Sequence, residues 1–119
     1  MRLIPSEALP HFENAIYFPM LITILEMDRH LIERGPYKLK APYLRMIDGA
    51  LAAIRAELKE TNQFLRLNKM RLEKGENDGM FTEYILYHSS YEDPRRYLNV
   101  RLKNRSIELL DVYLFLALK

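Results

Sequence analysis

Five leucines recur every seventh residue: Leu44, Leu51, Leu58, Leu65 and Leu72. Ile47 and Ile54 follow the first two at a spacing of three. This is the a/d pattern of a heptad repeat, and it predicts one long helix with an apolar seam. Such a seam must be buried against other helices of the chain, a second copy or another protein. Pro42 suits the first turn of that helix, and Lys74-Gly75 suits its end. The expected span is about 42–73, or roughly 45–50 Å at 1.5 Å per residue.

The punctuation around the ladder places further helices. Pro5 and Pro10 mark residues 1–10 as an irregular arm. A first helix is expected over about 11–34, with Met20, Ile24, Met27 or Asp28, and Leu31 along one face and Gly35-Pro36 as a strong stop. A third is expected over 80–91, after the turn-forming run Gly75–Gly79 and with Asp78 as its N-cap. Asp93-Pro94 offers an N-cap and an N1 proline for a fourth, running to about Leu118. The expected fold is therefore all-α: a single helical domain over 1–119, a three- to four-helix bundle around one long central helix.

Some stretches read the other way. Leu65–Glu73 and Leu98–Lys103 alternate as strands do, and Thr82–Tyr87 is rich in strand formers. Thr61 and Asn68 also stand where the seam wants apolar residues. The alternative is an α+β, winged-helix-like domain with a hairpin near 67–87. In the helical reading, Thr61 and Asn68 act as register-setting polar positions.

Composition narrows the classes of function. With no cysteine, the chain has no disulfide, thiolate zinc site or cysteine nucleophile, and it fits a reducing, cytoplasmic compartment. The net charge is +2; residues 35–79 carry nine basic and six acidic side chains, a mild excess beside that of dedicated nucleic-acid binders. The apolar runs 15–25 and 112–118 are too short to span a bilayer, which takes roughly 20 residues.

The chemistry-bearing patterns are weak. Glu26 and His30 share a helix face, but three scattered histidines with no Glu-x-x-His do not assemble a metal site. There is no phosphate-binding glycine loop, Gly-x-Ser-x-Gly elbow or His-Glu-x-x-His. No catalytic residue, metal or cofactor is expected. Two surfaces remain. The first is protein-binding: the leucine seam, with Tyr84, Tyr87 and Tyr91 as a second patch, tyrosine being common at interfaces. The second is basic: Arg66, Lys69, Arg71, Arg95, Arg96, Arg101, Lys103 and Arg105, which would contact phosphates if the fold brought them together. The leading expectation is a non-enzymatic interaction or regulatory module that self-associates, with a dimer favoured. The alternative is a small nucleic-acid-binding protein. The style is that of small bacterial or phage accessory proteins.

Overall fold

A computed structural model describes residues 4–116. A short 3-10 turn, Ser6–Ala8, leads into α1, Leu9–Arg34. Helix α2 is Lys40–Leu67, followed by three strands: β1 Met70–Asn77, β2 Phe81–His88 and β3 Tyr91–Leu98. Helix α3, Asn99–Leu116, follows β3 directly. The strands form an antiparallel meander in the order β1-β2-β3.

The protein is therefore α+β, and the expectation of an all-α helical bundle is overturned. Three local causes account for the difference. First, α2 stops at Leu67, short of the end of the leucine ladder. The Asn68 amide donates to the Phe64 carbonyl at 2.8 Å, and Lys69 takes a left-handed φ of 56°. That conformation turns the chain out of the helix, so Leu72 lies on a strand. Second, the expected helix 80–91 is strand β2. The β-branched and aromatic run Phe81–Tyr87 outweighs its helical spacing. Asp78 is not a helix N-cap. Its carboxylate accepts from Met80 N and Phe81 N at 3.0 and 2.7 Å and closes the β1–β2 turn, where Gly79 has a φ of 93°. Third, Asp93-Pro94 does not open a helix. Pro94 lies in β3, an edge strand of the sheet, where a residue without an N–H is tolerated. A hairpin over 70–88 thus stands close to the alternative placed at 67–87.

The first helix meets its expected stop. Gly35 is required by close approach: a Cβ there would lie 2.7 Å from the Tyr37 ring and 2.9 Å from the Leu31 carbonyl. The N-terminal stretch read as an irregular arm is helical from Ser6, and its residues 1–3 lie outside the described residues. So does the end of the expected C-terminal run, residues 117–118. Within that run Tyr113 joins the core, while Val112 and Phe115 are exposed.

The core falls into three clusters, and α1 contributes to each. Phe18, Leu21 and Leu25 pack with Ile47, Ala50, Leu51 and Ile54 of α2 and with Tyr113 of α3. Phe12 packs with Leu65, Met70 and Leu86. Ile16 and Tyr17 pack with Tyr84 and Leu102. The helices outrun the sheet, giving principal extents of 57 × 32 × 19 Å. Thr61 is 1% exposed and accepts from the Asn14 amide at 3.0 Å, with His11 Nδ1 at 3.1 Å. A polar residue in the ladder thus fixes how α2 lies against α1 inside one chain.

Ile54 is 0% exposed. Ile54→Ala is expected to lower unfolding free energy by about 2–5 kcal/mol. Val112→Ala, on the exposed side of α3, is expected to change it by under about 0.5 kcal/mol. Urea denaturation followed by circular dichroism measures both.

Candidate functional site

The leucine seam is spent inside the chain. Leu51 and Leu65 are buried. Leu58 packs against the α1–α2 core, and Leu72 packs against the two clusters beneath the sheet. Leu44 is half-buried near the start of α2.

The tyrosines expected on one helix face are divided between two faces of the sheet. Side chains alternate along a strand, so Tyr84 points into the core and Tyr87 lies on the outer face. There the Arg71 guanidinium sits 3.8 Å from the centroid of the Tyr87 ring. Tyr91 begins β3, is 38% exposed, and pairs with His88.

The eight cations are likewise dispersed. Arg66 and Lys69 lie exposed at the end of α2 and in the turn after it. Arg71 and Arg96 are on the outer sheet face, where Arg96 lies over the Phe81 ring at 4.2 Å and 3.3 Å from Asp78. Lys103 is exposed on α3. Arg66 and Arg71 line one hollow with Asn62, Leu65 and Leu72, and three others converge elsewhere: Arg95, Arg101 and Arg105 line one cavity of about 380 Å³ with Glu13, Tyr17, Tyr97, Leu9, Phe12 and Leu86.

Each element delivers its residues to this cavity by simple periodicity. Asp93, Arg95 and Tyr97 alternate onto the inner face of β3. Arg101 and Arg105 are one helical turn apart on α3, and Glu13 and Tyr17 are one turn apart on α1. The Asp93 carboxylate accepts from Arg95 at 2.9 and 3.1 Å. This bond pushes the Arg95 pKa above its ordinary value and fixes the guanidinium against the inner face. Arg105 pairs with Glu108 at 2.9 Å. Arg101 has no ion pair or hydrogen bond among the described residues. The ring of Tyr97 meets that of Tyr84 edge-on at 5.8 Å. Burial raises the Tyr17 pKa, with the Glu13 carboxylate adding to the shift. Burial also raises that of Tyr97, against the opposing pull of Arg95. Both hydroxyls stay protonated at neutral pH and can donate.

Sequence reading gives no site role to Glu13 or Tyr17, and it groups Tyr97 with the aromatic set Tyr84, Tyr87, His88 and Tyr91 near Arg95 and Arg96. The Asp93-x-Arg95-x-Tyr97 alternation was a usable signal, but it was hidden while residues 94–118 were read as one helix.

A second surface is apolar. Met20, Ile24, Met27 and Leu31 recur at spacings of four, three and four, which places them on one face of α1. N-terminal to Met20, α1 is covered by the sheet through Phe12 and Ile16. Beyond Met20 the sheet ends. Ile24 is 39%, Met27 61% and Leu31 60% exposed. A groove of about 560 Å³, bounded by Ile16, Met20, Ile24, Leu72 and Tyr84, marks the transition. Exposed Tyr37, Leu39 and Tyr43 continue apolar surface around the helical tip.

Among the described residues no group of three or more His, Asp or Glu side chains is placed to hold a metal ion. Glu26, expected beside His30, instead accepts from Arg55 at 2.6 Å. No helix among the described residues is long and apolar enough to cross a membrane.

The architecture defines a class: a two-helix hairpin laid on a three-stranded meander and closed by a third helix. The chain belongs to the YhjD protein family, whose family model matches residues 3–118. It is similar to the Bacillus subtilis (strain 168) protein described as "Uncharacterized protein YhjD", with 38% identity over 103 residues, 87% of this chain and 86% of that protein. No solved structure matches.

Four tyrosines, Tyr17, Tyr84, Tyr97 and Tyr113, have pKa values raised above 10.0 in the fold, each with burial as the largest cause. The Tyr113 hydroxyl also donates to Glu57. Groups with raised folded values contribute stability that is complete below the unfolded pKa of about 10 and is lost as pH rises above it. Thermal unfolding is therefore expected at steadily lower temperature above about pH 10. Tyr113→Phe should flatten part of that dependence.

Proposed function

We propose that this protein is a non-enzymatic interaction module of the cytoplasm that self-associates through the uncovered face of α1. The observation that carries this reading is the apolar stripe Met20, Ile24, Met27 and Leu31. It continues a face that the chain's own sheet buries up to Met20 and then leaves bare. Burial of Leu51 and Leu65 within the chain favours α1 over α2 as the self-associating surface.

The magnitudes favour a reversible dimer. Fully burying one such side chain contributes about 1.5–3 kcal/mol, whereas association costs about 4–15 kcal/mol in lost freedom. Two stripes, already part-buried in the free chain, offset that cost with a modest surplus. Two methionines also suit the surface, because their unbranched side chains adapt to a facing helix. Dispersal of the basic residues over several surfaces favours this reading over nucleic-acid binding.

Sedimentation equilibrium tests the proposal. The wild-type chain is expected to show concentration-dependent dimerisation. The double variant Ile24→Glu, Met27→Glu is expected to remain a folded monomer, since both side chains are exposed. A wild-type chain that stays monomeric throughout, or a double variant that dimerises equally well, overturns it.

A further inference from the structure

We propose that the cavity between α1, the inner face of the sheet and α3 binds a small phosphomonoester with an apolar or aromatic body, held by Arg95, Arg101 and Arg105. Three features of the lining point to this chemistry. The first is charge: three arginines and one glutamate face the cavity. Asp93 and Glu108 engage Arg95 and Arg105, but Arg101 has no such partner among the described residues. A guanidinium presents a rigid fork of donors matched to phosphate oxygens. The second is donor number. Arg101, the N–H groups of Arg95 and Arg105 that Asp93 and Glu108 do not take, and the hydroxyls of Tyr17 and Tyr97 can together donate to the several oxygens of a phosphate. The third is the apolar floor. Leu9, Phe12 and Leu86 line the same space and would cover the body of the ligand. Its volume, about 380 Å³, lies at the small-molecule end of binding cavities. Glu13, at the rim, accepts from a hydroxyl or ammonium group on the ligand.

The experiment is a titration of the full chain with phenyl phosphate, followed by amide NMR. Saturable shifts are expected at Phe12, Tyr17, Leu86 and Tyr97. Inorganic phosphate should bind more weakly, and benzyl alcohol should cause no saturable shift. Arg101→Gln is expected to weaken phenyl phosphate about tenfold, as loss of a charge-assisted bond would, while its spectrum otherwise remains that of the folded protein. Lys103→Gln, two residues away on α3 and outside the cavity, should bind as wild type. The Ile24→Glu, Met27→Glu variant should also bind as wild type, so this site stands or falls independently of self-association. Three results would overturn the proposal. One is the absence of saturable shifts. Another is an equal loss in Arg101→Gln and Lys103→Gln, which would mean diffuse charge. The third is a single-stranded oligonucleotide binding more tightly than phenyl phosphate and losing affinity in Lys103→Gln, which would assign the cations to nucleic acid.

Discussion

Helix α1 carries too much apolar surface for a single partner to cover. Phe12, Ile16, Tyr17, Phe18, Leu21 and Leu25 are all buried, yet they point to several sides of the helix. An amphipathic surface helix needs one apolar stripe; this helix needs walls on more than one side. Helix α2 forms the first along the whole hairpin. The sheet forms the second over the N-terminal half of α1, through Tyr84, Leu86 and Met70. Helix α3 closes the remaining side with Leu102 and Tyr113. The rest of the fold is arranged around this requirement, and both candidate surfaces follow from it. The arginine cavity lies where sheet, α1 and α3 meet. The bare stripe lies where the sheet runs out.

Much of the helical hairpin was legible in the sequence. The stop at Gly35-Pro36 and the heptad spacing of α2 are local signals, and local signals survive folding. The ladder misled only at its end. Leu72 keeps the seven-residue spacing by coincidence, because an inward position on β1 also wants a leucine. The features that break the helix are small: an asparagine amide reaching back to Phe64, and a lysine in a left-handed conformation. Neither has a periodicity to detect. Asp78 illustrates a second ambiguity. An aspartate that caps a helix and one that closes a hairpin both accept from backbone N–H groups a few residues on, so the residue type alone does not separate them.

The candidate site was less legible than the fold, for a related reason. Arg95, Arg101 and Arg105 were recognised as cations, but on one helix they do not face a common point. The change from the two-residue period of β3 to the helical period of α3, at Asn99, is what turns them together. Glu13 and Tyr17 come from a helix some eighty residues earlier in the chain. Only the tertiary packing of α1 against α3 brings them to the same cavity.

The central claim is that the sheet covers one face of α1 only as far as Met20 and that a second copy covers the rest of that face. Methyl NMR with a soluble nitroxide tests it most directly. In concentrated protein, the methyl groups of Ile24, Met27 and Leu31 should be shielded from the nitroxide, while those of exposed Val100 and Val112 are broadened. On dilution the α1 methyls should become as accessible as the valines. If they are fully broadened at every concentration, α1 has no covering partner of its own kind, and the account fails at its centre.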